Sequence, residues 1–271
     1  MAVLITAPTK SVLITGAASG LGWELAQQCF ARGDRLLLVD RDATLLTQRE
    51  AALNDPARVF ACVADLAEAS GIAATLDAAR QHLPQLDVLI NNAGITHRSL
   101  AGSTDPKVFR KVMAIDWQAP VELAIGLLPA LRQQRGCIVN IGSMAGWMPV
   151  LGRAAYCSAK SALGQFFEVL RAEEKDNGVS VLMVYPAFVN TSIEQNALGA
   201  DGGKAQHARS TIGGVGEAAP LANAILQAME RGQAQLFPHR GIWLASLLWR
   251  LAPGLFHTLM RRKFAVELQQ I

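Results

Sequence analysis

The sequence predicts an α/β fold in which helices cover both faces of a single parallel sheet of about seven strands, a doubly wound arrangement. Short runs of Val, Ile and Leu alternate with longer helical patterns along most of the 271 residues. Continuous apolar runs of this kind are typical of parallel strands buried on both faces. A glycine-rich turn joins the first such run to the first helical pattern, as in nucleotide-binding βαβ units.

The individual elements follow in chain order. Strands are predicted near 11–15, 35–40, 57–63, 86–91, 136–142, 179–185 and 233–237, and helices near 20–32, 42–53, 68–82, 105–134, 155–176 and 216–231. Ligands of such sheets bind beyond the carboxyl ends of the strands. The residues that follow the strands are therefore the first candidates for a site: Asp40, Asp65, Asn91, Ser143 and Pro186.

The turn after the first strand carries glycines at 16, 20 and 22. A strand, a glycine-rich turn and a helix start let a pyrophosphate approach the backbone and lie at the helix N-terminus. The G-x-x-x-G-x-G spacing differs from the G-x-G-x-x-G fingerprint, so for the glycines alone the alternative is a tight turn that binds nothing.

Asp40 argues against that alternative. It ends the second strand eighteen residues after Gly22, where a carboxylate can accept hydrogen bonds from both adenosine-ribose hydroxyls and would repel a 2′-phosphate. We therefore predict NAD rather than NADP, and interpret Arg41 as a solvated loop cation rather than a phosphate ligand.

Tyr156, Lys160 and Ser143 form a second candidate centre. Helix positions i and i+4 share a face, so the phenol and the ammonium point at one spot. A free phenol, with a pKa of about 10, carries protons poorly at neutral pH, and a nearby cation stabilises its phenolate. Y-x-x-x-K also describes ordinary solvated helix faces, and a turn serine also satisfies local backbone. The surrounding nucleotide-binding pattern favours an acid/base centre.

Composition limits the class of protein. The chain is 51% hydrophobic and 17% charged, enough for a large core in one domain, so we expect residues 1–240 to form the catalytic unit and 241–271 an apolar extension of it. A net charge of +3 and an isolated Arg261-Arg262-Lys263 cluster argue against a nucleic-acid partner.

Scattered cysteines and histidines predict free thiols and no metal site. Residues 1–9 lack the features of a secretory signal, so we expect a cytoplasmic protein.

Together these residues resemble the short-chain dehydrogenase/reductase (SDR) family over roughly residues 10–235. The matching features, in the family's order, are Thr15-Gly16-x-x-x-Gly20-x-Gly22, Asp65 after the third strand, Asn91-Asn92-Ala93-Gly94 after the fourth, Ser143 after the fifth, Tyr156-x-x-x-Lys160, and Pro186 through Thr191 after the sixth. The resemblance implies a Rossmann-like fold, an NAD(P)-dependent dehydrogenase or reductase acting on CH–OH groups, and a homodimer or homotetramer.

The resemblance also implies a role for each matching residue. Tyr156 would be the general acid/base that takes the proton of a substrate hydroxyl while hydride moves to the nicotinamide, and Ser143 would hydrogen-bond the substrate oxygen. For Asn91 and Asn92 a turn that only closes the strand stays an alternative. Asn91 and Asn92 would brace the sheet and border the cofactor's ribose. The other implied cofactor contacts are Gly16, Ser19, Gly20, Leu21 and Gly22 with the pyrophosphate, Asp40 with the adenosine ribose, Asp65 and Leu66 with adenine, Lys160, beside Tyr156, with the nicotinamide ribose hydroxyls, and Val189 and Thr191 with the carboxamide.

Asp116 departs from the family pattern, which usually has asparagine at this helix position. That asparagine kinks the helix and helps to hold a water that passes protons to the lysine. Aspartate keeps its size and its local hydrogen bonding, while its charge would stabilise the ammonium of Lys160. We include Asp116 in the candidate catalytic set and expect retained activity with a shifted pH optimum.

The substrate is predicted only as a secondary alcohol or ketone of apolar character. The glycine-rich segment 188–215 suits a mobile loop closing over substrate. The run 144–151 indicates an apolar pocket wall or, equally, ordinary packing or a subunit contact.

Two alternatives stay open. The run Ile242–Trp249 is too short to span a bilayer. We favour packing of the C-terminal extension within an oligomer over a pocket cover or peripheral membrane contact through 241–263. The rival function is a non-catalytic NAD-binding sensor or scaffold, which would need the glycine loop without the catalytic residues.

Overall fold

A seven-stranded, fully parallel sheet forms the centre of the molecule, in the order β3-β2-β1-β4-β5-β6-β7. The structure is a computed structural model that describes residues 9–189, 192–206 and 215–265. The strands are β1 Ser11–Thr15, β2 Arg35–Asp40, β3 Val59–Val63, β4 Val88–Asn91, β5 Cys137–Ile141, β6 Ser180–Val184 and β7 Gln235–Leu236.

Helices follow the strands along the chain and cover the sheet. They are α1 Gly20–Ala31, α2 Ala43–Leu53, α3 Ala69–His82, α4 Pro106–Met113, α5 Ala119–Gln134, α6 Ala154–Glu173, α7 Ser192–Gln195, α8 Ala218–Glu230, α9 Arg240–Leu251 and α10 Pro253–Lys263.

Side-chain alternation along the strands builds one core on each face of the sheet. In β1, Leu13 belongs to the core beneath α3, α5 and α6, where Phe167 is fully buried. Its neighbours Val12 and Ile14 point the other way, into the core beneath α1 and α8, where Leu25 is fully buried. Successive strand residues face opposite sides, so a continuous apolar run is needed to bury both. This confirms the predicted doubly wound fold.

The strand order reverses between β1 and β4, which are neighbours in the sheet although two strands separate them in sequence. The loops that leave these strands meet there: Asn92 Nδ2 donates to the carbonyl oxygens of Thr15 at 2.9 Å and Gly16 at 3.1 Å. Crevices at such switch points are the usual ligand sites of doubly wound sheets.

Four elements differ from the sequence prediction, one of them the short helix α7 Ser192–Gln195 inside the segment predicted as a loop over 188–215. The helix expected over 105–134 contains a π-helical turn at Ala114–Gln118 between α4 and α5. The last strand, predicted over 233–237, pairs only two residues with β6. The C-terminal extension forms two short helices, α9 and α10. Within the described ranges, no helix has both the length and the apolar character to cross a membrane.

Candidate active site

A cavity of about 430 Å³ opens at the carboxyl edge of the sheet, over the switch point. It brings the two predicted centres together, because the glycine loop and Asp40 line it along with the side chains after β5 and on α6. The lining residues that the sequence predicted are Gly16, Ser19, Gly20, Leu21, Asp40, Asp65, Leu66, Asn92, Ser143, Tyr156, Lys160 and Val189.

The glycine loop adopts a backbone that side chains would obstruct. Gly16 has a φ of +64° and Gly20 a φ of +53°, which lie in the region that glycine tolerates best. A Cβ at Gly22 would stand 2.0 Å from the carbonyl oxygen of Gly16, so helix α1 packs against the loop only with glycine there. Gly20 and Leu21 begin α1 and line the cavity, so a helix N-terminus, which favours phosphate, faces the space.

Asp40 ties the glycine loop to the end of β2. Its Oδ2 accepts a hydrogen bond from the Ala18 N–H at 3.0 Å, and its Oδ1 accepts from the Asp42 N–H at 3.1 Å. Each carboxylate oxygen keeps a further lone pair for a group in the cavity. Arg41 and Asp42 also line this end of the cavity, so an acid and a cation stand beside Asp40.

The loops after β3 and β4 contribute differently. Asp65 lines the cavity while its Oδ1 accepts from the Ala67 N–H at 3.0 Å, and Leu66 lies beside it. Asn92 lines the cavity, whereas Asn91 does not: its Nδ2 donates to Asn140 Oδ1 at 2.9 Å inside the sheet. Asn91 therefore joins β4 to β5, because it still lies within the strand and its side chain faces the neighbouring strand's Asn140.

Ser143, Tyr156 and Lys160 converge on the other end of the cavity. Ser143 follows β5, and its Oγ accepts from the Ala145 N–H at 3.1 Å, which leaves the hydroxyl hydrogen available as a donor. Lys160 is only 5% exposed. Its Nζ donates to the Ile141 carbonyl at 3.0 Å and lies 5.7 Å from the centre of the Tyr156 ring. The ammonium is thus held beside the phenol by a main-chain carbonyl.

Asp116 is fully buried within the π-helical turn. Its Oδ1 accepts from the Ile95 N–H at 2.8 Å, and its Oδ2 lies 3.5 Å from Lys160 Nζ, an ion-pair distance. Burial raises the pKa of this carboxyl above its ordinary range, and the Lys160 ammonium opposes the rise. The helix distortion expected of the family's asparagine is therefore present with aspartate. The carboxylate contacts Lys160 without lining the cavity.

A buried polar chain that the sequence analysis missed holds the start of α6. His97 Nε2 accepts from the Ala155 N–H at 3.0 Å, next to Tyr156, and His97 Nδ1 lies 3.0 Å from Ser99 Oγ. The chain continues from Ser99 to Thr104 Oγ1 at 2.7 Å and ends on the Leu100 carbonyl at 2.6 Å. Burial, with the nearby Arg153, lowers the pKa of His97 to about 4, so the ring is neutral and Nε2 is the acceptor.

Arg153 and Phe264 are among the lining residues that were not predicted. Arg153, three residues before Tyr156, is buried and lines the cavity; helical spacing to Tyr156 was the available signal. Phe264 is fully buried and lines it from the end of α10. Its i, i+4, i+8 relation to Phe256 and Met260, both buried, was a signal for a packed helix face, but spacing alone does not indicate what that face covers.

The predicted substrate segment lies over the cavity where the structure describes it. Val189 lines the cavity and forms a parallel bridge with Gly216, whereas Thr191 lies outside the described residues. Met144, Met148 and Val150 form the apolar wall, while Trp147 packs edge-on against Tyr185 and Phe237, each 5.0 Å away. The run 144–151 therefore divides between wall and core.

Known proteins resemble this chain over almost its whole length. Residues 10–201 match the profile of the family described as short chain dehydrogenase. Dehydrogenase/reductase SDR family member 7B of Bos taurus is 36% identical over 269 residues, which is 94% of this chain and 82% of that protein. A short-chain dehydrogenase from Streptomyces avermitilis superposes with a TM-score of 0.79 at 27% identity, covering 96% of this chain and 98% of its own. One from Sphingobium yanoikuyae, solved in complex with NADPH, has a TM-score of 0.77 at 29% identity, covering 93% and 95%.

Proposed function

This chain belongs to the short-chain dehydrogenase/reductase family of oxidoreductases, and from that premise we propose that it transfers a hydride between a nicotinamide cofactor and a secondary alcohol or ketone. The observation that carries the proposal is the convergence of Ser143, Tyr156 and Lys160 on a cavity whose other end is the glycine loop. A nucleotide-binding sensor would need the loop without those three side chains.

The residues of the loop end fit a nicotinamide dinucleotide. The N-terminus of α1 faces the cavity and suits the pyrophosphate, Asp40 offers free lone pairs to ribose hydroxyls, and Val189 lines the same cavity. We propose NAD over NADP because the Asp40 carboxylate would repel a 2′-phosphate. The NADPH complex of the Sphingobium yanoikuyae relative makes this preference the part most in need of measurement.

The preference is tested by the ratio of kcat/KM for NADH to that for NADPH. We expect wild type to favour NADH, and Asp40→Asn to lower the ratio by about tenfold or more, since like charges in contact cost several kcal/mol. Asp77→Asn, which removes an exposed carboxylate on α3, is the matched control and should keep the wild-type ratio. A wild-type preference for NADPH would refute the assignment to NAD.

The protein's side chains supply the proton transfer. When bound, the cofactor accepts or donates the hydride. Tyr156 removes the proton of the substrate hydroxyl during oxidation and returns it during reduction. The Lys160 ammonium beside the ring stabilises the phenolate form. Ser143 donates its hydroxyl hydrogen to the substrate oxygen on which charge develops.

The lining supports an apolar substrate. The wall around Tyr156 is mainly hydrophobic, and such walls bind ligands of matching character while a few polar groups fix orientation. The apolar residues of the lining include Ile95, Met144, Met148, Val150, Leu198 and Phe264.

A panel of secondary alcohols and ketones, graded from short polar to long apolar compounds, tests the function as a whole. The readout is oxidation or reduction of the nicotinamide, with direct binding of NADH measured in parallel. We expect turnover that increases with apolar character. NADH binding without turnover anywhere in the panel would instead support the sensor.

A further inference from the structure

The two C-terminal helices, α9 and α10 (residues 240–263, hereafter the C-terminal hairpin), carry a concentrated apolar surface. Large exposed apolar residues elsewhere in the described ranges, such as Ile125 and Val169, are scattered along the sequence. Contiguous exposed apolar surface usually marks an interaction site. In the hairpin the exposed fractions are 42% for Trp243, 57% for Leu244, 38% for Leu247, 77% for Leu251, 53% for Leu255 and 46% for Leu259.

Helical spacing gives each helix of the hairpin an inner and an outer face. In α9 the exposed residues Leu244, Leu247 and Leu251 recur at intervals of three and four, while Leu248 and Trp249 pack against the core. In α10 Phe256 and Met260 are buried, as is Phe264 just after the helix. Leu255 and Leu259, which precede the first two, are exposed. The hairpin is therefore held to the domain by its inner face, and its outer apolar face has no covering element in the described chain.

The same segment is strongly basic. Residues 240–263 contain Arg240, Arg250, Arg261, Arg262 and Lys263 and no Asp or Glu. Since the whole chain has a formal charge of +3, the remaining 247 residues carry −2 (+3 less the five cations). The last three cations lie exposed together at the end of α10. Apolar and cationic surface thus coincide on one small part of the molecule.

We propose that the C-terminal hairpin binds the surface of an anionic membrane, with its leucines at the acyl-chain boundary and its cations among the headgroups. The helices have 12 and 11 residues. At about 1.5 Å per residue neither reaches across the roughly 30 Å hydrocarbon layer, so both lie along the surface. A second copy is a poorer occupant, because residues 240–263 contain no Asp or Glu with which the same face of a two-fold partner could pair the exposed cations at the end of α10.

The hairpin also connects the membrane-binding face to the cavity. Phe264 follows the last residue of α10 and forms part of the cavity wall. An apolar substrate dissolved in the bilayer would then meet the protein next to its pocket. This consequence rests on the proposed function, whereas the binding itself does not, and the experiment below requires no turnover.

Flotation of the full chain with vesicles tests the proposal. We expect strong binding to phosphatidylcholine vesicles that contain phosphatidylserine and weak binding to phosphatidylcholine alone. The variant Arg261→Gln/Arg262→Gln/Lys263→Gln should bind the anionic vesicles about 100-fold more weakly, because each of the three lost cations contributes roughly fivefold to the affinity. Leu244→Gln/Leu251→Gln should also lose binding. Ile125→Gln, which removes an equally exposed apolar side chain on α5, is the matched control and should float like wild type.

Thermal melts would establish that the variants fold. Failure of the wild-type chain to float with anionic vesicles would overturn the proposal, as would flotation of the charge variant at the wild-type level. Sedimentation equilibrium tests the other possible occupant, a second copy of this chain. If wild type is an oligomer that does not bind vesicles, and Leu244→Gln/Leu251→Gln dissociates it, the face is a contact between copies and the membrane assignment is wrong.

Discussion

Asp116 illustrates how one buried charge can adjust the proposed acid/base centre. Its carboxylate lies 3.5 Å from the ammonium of Lys160 and, unlike Lys160, does not line the cavity. An ionised Asp116 therefore offsets part of the positive field that Lys160 exerts on the Tyr156 ring. Because burial raises the pKa of Asp116, that offset is complete only once the pH exceeds the raised value.

The variant Asp116→Asn should move the pH profile of the proposed oxidation. With no anion beside it, Lys160 stabilises the phenolate of Tyr156 more strongly, so the rise in kcat/KM occurs at lower pH, by up to about one unit. Asparagine keeps an oxygen for the Ile95 N–H, so the helix turn should persist. Glu122→Gln, an exposed change on α5, is the control. Superimposable profiles for Asp116→Asn and wild type would contradict this account.

His97 should make the stability of the protein depend on acid. The pKa of His97 is about 4 in the native protein and has its ordinary value of 6.5 in the unfolded chain. The unfolded chain therefore binds more protons between pH 4 and pH 6.5. Stability is therefore full above pH 6.5 and falls as the pH decreases to 4, by about 3 kcal/mol. Urea unfolding at several pH values would show this loss in wild type and its absence in His97→Gln. His257→Gln, at an exposed position, should retain it, and an equal acid loss in His97→Gln would exclude His97 as its source.

Sequence reasoning identified the residues whose chemistry and spacing are both distinctive. Tyr156 and Lys160 are four apart on one helix, and Asp40 ends a strand, so each position could be proposed from its spacing together with the nucleotide-binding pattern around it. His97 and Asn140 were missed because their partners, Ala155 and Asn91, are far away in sequence. Only the packing of distant segments reveals such contacts.

The strand β1, the glycine loop and helix α1 work as one element. The loop must bring its backbone within van der Waals reach of α1, and the missing side chain at Gly22 makes this possible. The first helical turn then faces the cavity. Close packing, rather than backbone freedom alone, explains the third glycine of the motif.

Gly22→Ala should disrupt this element. The new Cβ would lie 2.0 Å from the Gly16 carbonyl oxygen, so the loop and helix must separate, at a cost of about 1–3 kcal/mol in the free energy of unfolding. We also expect NADH binding to weaken at least tenfold, measured by fluorescence titration. Gly102→Ala is the control, because no heavy atom lies within 4 Å of its added Cβ. Unchanged stability in Gly22→Ala would show that α1 does not need this contact.

At the scale of the elements, the sequence pattern predicted most helices and strands but not their exact lengths or irregularities. The six helices predicted between 20 and 231 are present, but the short helix α7 lies in a segment predicted as a loop. The π-helical turn at Ala114–Gln118 also inserts a distortion that apolar periodicity cannot register. Strand β7 pairs only two residues with β6, whereas β3 at the opposite edge pairs five with β2, so the edge position alone does not set strand length. The C-terminal extension was recognised as apolar, yet its division into α9 and α10 at Ala252 depends on docking to the domain.

For the molecule as a whole, two cores on opposite faces of one parallel sheet explain why the fold was predictable. Each strand must be apolar on both sides, which leaves a strong signal in the sequence, and the switch point between β1 and β4 then determines where loops gather. The apolar character of the pocket was only partly predictable, because Phe264 reaches the cavity from the far end of the chain. None of the described residues covers the outer face of the C-terminal hairpin, so contacts within that part of the chain do not identify its occupant.

The central claim is that Tyr156 transfers the proton of the substrate hydroxyl in a nicotinamide-dependent reaction that takes place in this cavity. Its most direct test is Tyr156→Phe, with turnover and NADH binding measured on the same preparations. We predict a loss of about 100-fold to 10,000-fold in kcat, the range of general acid/base catalysis, with NADH affinity within about threefold of wild type because the phenyl ring keeps its packing. Wild-type turnover by Tyr156→Phe would contradict the account.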